Sequence, residues 1–165
     1  MNKITLTTEI TLFESPQELS TDEQELVKAA QDICSKAYAP YSEFQVGAAV
    51  RLKNGKIITG NNQENAAYPS GLCAERVAMF YANAQYPDEP VEAIAVMAMN
   101  SDGILPEPVA PCGACRQVLL ETELRMKKAY NILLVGQNGI NKLSSAKDLL
   151  PLSFVGDGIK KGSKP

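Results

Sequence analysis

Histidine and tryptophan are both absent from this chain of 165 residues. The missing histidine removes the usual nitrogen ligand for a metal and the usual general base near neutral pH. A catalytic metal must then be held by sulfur, and proton transfer falls largely to a carboxylate. The missing tryptophan, with aromatics at only 6% of residues, leaves little for stacking on single-stranded nucleic acid. Basic clusters are lacking too. Sixteen Lys and Arg are scattered among 19 Asp and Glu, for a net charge of −3, which argues against a surface that tracks nucleic-acid phosphates. A neutral small molecule is the better fit. The longest apolar run, Ala93 to Met99, is far too short to cross a bilayer, and Met1 to Ile10 contains Lys3 and Glu9 but no apolar signal segment. The expectation is a cytoplasmic protein with neither a membrane nor a nucleic-acid polymer as partner. In that compartment its four cysteines serve as thiols or metal ligands rather than disulfides.

What is present suits one folded domain over residues 1–165: hydrophobic residues make up 45% and charged residues 21%. Residues 4–12 alternate, with Ile4, Leu6, Ile10 and Leu12 on one side, which predicts a half-buried strand. Ser20 to Glu23 has capping-box spacing and opens a helix to about Ala37, stopped at Tyr38-Ala39-Pro40. Phe44 to Leu52 reads as a strand, Asn54-Gly55 as a hairpin turn, and Lys56 to Gly60 as the returning strand. Ser70 is the expected cap of a helix from about Leu72 to Ala84. Val91 to Met99 reads as a strand buried on both faces, Leu105 to Pro111 as a loop, Cys112 to about Arg125 as a helix, and Asn131 to Val135 as another buried strand. Lys142-Leu143 starts a short edge strand, Ser145 to Leu149 forms a short helix, and Pro151 to Pro165 is a polar tail with one aromatic, Phe154. This order is that of an α/β protein whose sheet is covered on both faces.

The chemistry concentrates in Cys73-Ala74-Glu75 and Pro111-Cys112-Gly113-Ala114-Cys115. Cys112 and Cys115 share one face of a helix start, so both sulfurs can grip one ion, and the helix N-terminus favours their thiolates. Cys73, at the start of another helix, gains the same help. Three thiolates leave the fourth tetrahedral position of a Zn²⁺ open to water, which marks a catalytic site. The alternative is a closed structural site with Cys34 as fourth ligand. Cys34, however, has no partner at chelating spacing and reads more simply as a buried thiol. Three thiolates also give the ion a formal negative charge, so an electropositive neighbour is needed. Arg76 is placed to donate to the ligand sulfurs, its alternative being a surface arginine. Glu75, two residues after Cys73, lies beside the metal but off it, which suits a proton shuttle better than a solvated glutamate.

Cys-x-Glu with Pro-Cys-x-x-Cys is similar to the zinc deaminase pattern, with cysteine in place of its histidine ligand. Ala37-Tyr38-Ala39-Pro40-Tyr41-Ser42, Phe44-Gln45-Val46-Gly47-Ala48-Ala49, Asn62-Gln63-Glu64-Asn65-Ala66 and Cys112-Gly113-Ala114-Cys115-Arg116-Gln117 closely resemble the cytidine deaminase family, over roughly residues 20 to 155. The resemblance implies a three-layer α/β/α fold with a mixed central sheet of about five strands. It implies hydrolysis of cytidine and deoxycytidine to uridine and deoxyuridine, as in pyrimidine salvage, with water as co-substrate. Water adds to C4 while Glu75 protonates N3 and then the departing ammonia. It assigns one Zn²⁺ per subunit to Cys73, Cys112 and Cys115. Asn62 and Glu64 bind the ribose 3′-hydroxyl, the Ala74 backbone recognises the base, and Phe44 packs on the pyrimidine or, alternatively, simply opens a strand in the core. It also implies a homotetramer with shared active sites, in which Tyr68 and Phe154 reach a neighbour's site. Phe154 packing on its own core is the alternative. Residues 1–18 extend beyond the family core, Gln45 stands where a small residue is frequent, and the tail 155–165 carries no motif. Deamination of another aminopyrimidine nucleoside such as blasticidin S, a polynucleotide deaminase and a non-catalytic zinc module are the rival readings.

Overall fold

The computed structural model describes residues 1–156. Alternating side chains on its central strands sort into two cores, one on each face of a single sheet. Strands β2 (Gln45–Leu52), β4 (Val91–Asn100) and β6 (Asn131–Gly136) are the middle of that sheet. Their Ala48, Val50, Leu52, Ile94, Val96, Ile132 and Leu134 face helices α2 (Ala74–Gln85) and α3 (Gly113–Met126). Their Ala49, Ala93, Ala95, Met97, Leu133 and Val135 face helix α1 (Thr21–Cys34). The result is three layers, helix over sheet over helix.

Strand order is β1-β7-β6-β4-β2-β3, where β1 is Thr11–Phe13, β3 is Ile57–Asn61 and β7 is Gly139–Leu143. The two-residue β5 (Gly103–Ile104) pairs with β4 off this path. Among the strands of the described residues only β4 and β6 are parallel neighbours, joined across α3, and the other strand pairs are antiparallel. The five longer strands are the mixed sheet that the resemblance implies, and two short strands bring it to seven.

Several boundaries differ from expectation for identifiable reasons. Residues 4–10 form no strand, and Ile4, Leu6, Ile10 and Leu12 are all exposed. The ladder with β7 covers only Thr11 to Phe13, paired with Lys142 to Ile140. β7 itself starts earlier than predicted and lies one place in from the edge. The capping box of α1 is present, with the Glu23 N–H donating to Ser20 Oγ at 3.4 Å. The helix ends at Cys34, short of Ala37, because Tyr38 turns to bond across the chain: its N–H donates to Asn62 O at 3.0 Å and its carbonyl accepts from Glu64 N–H at 2.8 Å. Ser70 does not cap α2. It lies in a 3-10 turn (Tyr68–Ser70), and Cys73 is the N-cap. The predicted short helix after Ser145 is a 3-10 turn, Ala146–Leu149, capped by the Ser145 side chain. Of the polar tail, residues 157–165 lie outside the described residues.

Candidate active site and metal centre

Two helix N-termini meet over one end of the sheet. α2 is pressed onto β3 at Gly60, where a Cβ would stand 2.5 Å from Ala78 N and 2.8 Å from Ala74 O. No side chain fits there, so the first turn of α2 is fixed by backbone contact. The loop leading into α3 is fixed the same way at Gly136, whose Cβ would meet Pro108 N at 2.6 Å. Cys73 and Cys112 occupy the N-cap positions of the two helices, and Cys115 and Glu75 lie in their first turns.

The sulfurs converge. Cys73 Sγ is 3.9 Å from Cys112 Sγ, Cys112 Sγ is 3.5 Å from Cys115 Sγ, and all three lie within 4.8 Å of one another. Zinc–thiolate bonds of about 2.3 Å in a tetrahedron put sulfurs about 3.8 Å apart. The three cysteines therefore fit a zinc ion as they stand, and neither N-cap sulfur is spent on capping its own helix. Among the described residues Cys34 is not part of the cluster. It is buried at the end of α1, donates to Gln45 O at 3.3 Å, and burial pushes its thiol up to about 11. The closed four-cysteine alternative has no geometric support.

Charge at the centre is organised around Cys73. A hydrogen bond from Cys115 and the adjacent Arg76 guanidinium hold Cys73 down to about 5, against the usual 9.0. Cys115 is pushed up, because it donates to Cys73 and is buried. Arg76 Nη2 donates to Cys73 Sγ at 3.7 Å, while its buried Nε has no protein partner. Glu75 is 5% exposed, and burial, helped by the Cys73 charge, raises its proton affinity above that of an ordinary glutamate. A carboxyl so placed holds a proton more readily than an exposed glutamate, which suits it to pass one on.

In front of this centre is a cavity of about 420 Å³ lined by Ser42, Phe44, Val46, Asn62, Glu64, Cys73, Glu75 and Cys112, with Val96, Ala98, Val109 and Ala110. A second cavity of about 500 Å³ adjoins it, lined by Asn62, Glu64, Cys73, Arg76, Tyr41 and Tyr68 among others. These sizes suit a small organic ligand. Asn62 and Glu64 also organise the wall. Asn62 accepts from Val46 N–H at 2.7 Å and donates to Phe44 O at 2.9 Å. Glu64 accepts from Ser42 Oγ and from the Tyr41 and Ser42 N–H groups, at 2.9 and 3.3 Å, and the Ser42 hydroxyl first and Tyr41 second keep its carboxyl below its ordinary value.

Most predicted site residues are thus gathered in one place. Ala74 is fully buried between Cys73 and Glu75. Phe44 is half-buried at the cavity wall rather than in either core. Tyr68 is 79% exposed at the outer cavity. Phe154 is 68% exposed and, among the described residues, belongs to neither core cluster; its carbonyl accepts from Gln117 Nε2 at 3.0 Å. The apolar walls Val46, Val96, Ala98, Val109 and Ala110 were not predicted, since nothing separates such residues from core in a sequence. Ser42 and Arg116 were missed as functional groups although both lie inside the motif strings. Arg116 donates to Pro111 O at 2.8 Å and Leu149 O at 3.0 Å, tying the approach to Cys112 to the C-terminal segment.

Comparison with known proteins agrees with this geometry. The profile of the cytidine and deoxycytidylate deaminase zinc-binding region matches residues 20–133. A cytidine deaminase of Halalkalibacterium halodurans is 42% identical over 138 residues, covering 84% of this chain and 98% of that protein. A crystal structure of cytidine deaminase from Burkholderia pseudomallei superposes with a TM-score of 0.67 at 43% identity, covering 79% of this chain and 97% of the other. That of Mycobacterium tuberculosis gives 0.64 at 31% identity, covering 82% and 99%.

Proposed function

The chain belongs to the cytidine and deoxycytidylate deaminase family, and from that premise we propose that it hydrolyses cytidine and deoxycytidine to uridine and deoxyuridine, releasing ammonia, with Glu75 as the proton carrier. The observation that carries this reading is a buried carboxylate of raised proton affinity beside three convergent thiols, at the wall of a cavity that also presents Phe44, Asn62 and Glu64. Cys73, Cys112 and Cys115 hold one zinc. When bound, that ion supplies a water acidified to a pKa of about 7. Glu75 takes the proton of the attacking water, gives it to ring N3, and then carries a proton to the leaving amine at C4. Arg76 offsets thiolate charge. Phe44 lies against the pyrimidine, the Ala74 backbone meets the base, and Asn62 and Glu64 meet the ribose 3′-hydroxyl. Three bonds on Glu64 leave one of a carboxylate's roughly four acceptor positions for that hydroxyl.

We further infer one deaminase domain acting in the cytoplasm as a homotetramer, with Tyr68 and Phe154 reaching a neighbour's site. Their exposure, 79% and 68%, leaves both rings available to a neighbouring subunit and supports that assignment. No helix among the described residues is long and apolar enough to cross a membrane.

The test is turnover by the zinc-loaded protein, followed as loss of cytidine and appearance of uridine, beside Glu75→Gln. Uridine should form, and the variant should keep its zinc while losing about 10²–10⁴-fold in rate. Near-normal turnover by the variant would remove Glu75 from the mechanism. Absence of turnover by a folded, zinc-loaded parent would turn the search to other aminopyrimidine nucleosides.

A further inference from the structure

The inner cavity that the thiols line is also walled by Ser42 and Phe44, just before β2, and the backbone there is held by a chain of bonds. Glu64 accepts from the Tyr41 N–H, the Ser42 N–H and the Ser42 hydroxyl. The same Ser42 oxygen accepts from Phe44 N–H at 3.0 Å. Between them Glu43 has a φ of 54°, a left-handed conformation that non-glycine residues adopt only at a cost. Asn62 fastens the far side through Phe44 O and Val46 N–H. A hydroxyl has one proton to donate. At Ser42 that proton goes to Glu64, while a lone pair takes the Phe44 amide. One oxygen atom therefore links the carboxylate assigned to the sugar with the aromatic residue assigned to the base.

We propose that Ser42 is a positioning residue that sets the distance between the sugar-binding carboxylate of Glu64 and the base-facing ring of Phe44, and so sets the preference for nucleosides with a 3′-hydroxyl. The proposal rests on the assignment of Glu64 to the sugar and Phe44 to the base. A nucleoside that uses both contacts needs both held at one separation. A nucleoside without the 3′-hydroxyl uses only the base contact and is indifferent to that separation. Ser42 is exposed and lies outside both cores, so its loss acts on binding geometry more than on folding.

Cytidine and 3′-deoxycytidine, compared on the zinc-loaded parent, Ser42→Ala and Ser42→Thr, test this. The parent should favour cytidine by about tenfold or more in kcat/KM, the scale of one hydrogen bond to a charged group. Ser42→Ala should raise KM for cytidine about tenfold, with kcat within about twofold, and cut the preference below about threefold. Ser42→Thr, which keeps the hydroxyl, should restore both. If the parent discriminates and Ser42→Ala discriminates equally well, the positioning role is overturned while the sugar contact stands. A variant that loses kcat and thermal stability alike on both substrates, with KM unmoved, would make Ser42 merely structural. A parent that does not discriminate would overturn the sugar contact and the Ser42 proposal with it.

Discussion

The first turns of α2 and α3 are built on one plan and used for different ends. Each helix starts on a cysteine N-cap whose sulfur caps nothing, and each carries an arginine one turn later, Arg76 and Arg116. Arg76 turns toward the sulfur of Cys73. Arg116 turns away from the thiols to brace two carbonyls, one on the residue before Cys112 and one in the C-terminal segment. The difference is one residue of spacing. Arg76 is three positions after its cysteine and Arg116 four, and the intervening Cys115 takes the place beside the cluster. On α2 that place is free for a cation, and Glu75, off the ligand face, is left for the proton transfer proposed for it. Similar local sequence thus yields one electrostatic arm and one mechanical arm.

The comparison breaks most violently at its foundations. Gly60→Ala places a methyl carbon against helix backbone at 2.5 and 2.8 Å, where nothing flexible can yield. It should destabilise by about 3 kcal/mol or more and displace the whole first turn of α2. Gly136→Ala should cost a similar amount through the Pro106–Pro108 backbone. Thermal unfolding of the metal-free proteins, with zinc content after dialysis, checks both. A stability change under about 1 kcal/mol in Gly60→Ala would mean that α2 is not pinned by this contact.

The arginines should separate next. Arg76→Gln withdraws a cation from Cys73, so thiolate charge is less well offset. Zinc affinity should fall about 10–100-fold, and the acid limb of the kcat/KM profile should move to higher pH. Arg116→Gln should also release zinc faster in a chelator competition, through loosening of the Pro111 peptide, but leave the pH profile in place. Identical profiles for the two variants would erase the distinction between the arms.

A third difference concerns the stability of metal-free protein. Burial raises the proton affinity of Glu75 in the fold above its unfolded value near 4.5. The folded chain therefore binds more protons than the unfolded chain once pH exceeds that value, and stability falls as pH rises through the window. Glu75→Gln has no such penalty. It should be more stable than the parent at pH above that value, read as a higher Tm, and the gain should vanish as pH falls below it. A gain independent of pH would point to packing rather than ionisation.

What could be read from sequence follows from the same contrast. The three-cysteine zinc site was legible, with Glu75's place beside it, because two or three residues of local spacing on helix starts carry the whole signal. The misplaced cap of α2 shows where local rules fail. Serine is the better N-cap, so propensity selects Ser70, yet the helix starts on Cys73 because its sulfur is committed to the cluster. The α/β class was legible from the order of helices and buried strands, and α1 from its capping box. The strand over residues 4–12 was not, since alternation says which side chains share a face and nothing about whether a neighbour exists to pair with. The clamp on Phe44 was hidden for another reason. Ser42 and Glu64 are 22 residues apart, and no pattern within either segment announces that they meet.

The far ends of the two helices give the smallest effect and the cleanest control. α3 ends on Lys127 in the left-handed region, φ 50°, with its N–H shared between the Glu123 and Leu124 carbonyls. Glycine is the residue that this position ordinarily takes. Lys127→Gly should relieve a local cost of about 1–2 kcal/mol. It also returns part of that gain through the entropy of the unfolded chain and the lost cation at the helix C-terminus, so the net stabilisation should be about 0.5 kcal/mol. α2 offers no counterpart, because Tyr86 at its end has φ −132° and a glycine there relieves nothing. Zinc affinity, kcat and KM of Lys127→Gly should all match the parent, since the substitution lies three turns from Cys115. A change in zinc affinity would mean that the mechanical arm extends along the whole of α3, and that its first turn is not braced by Arg116 alone.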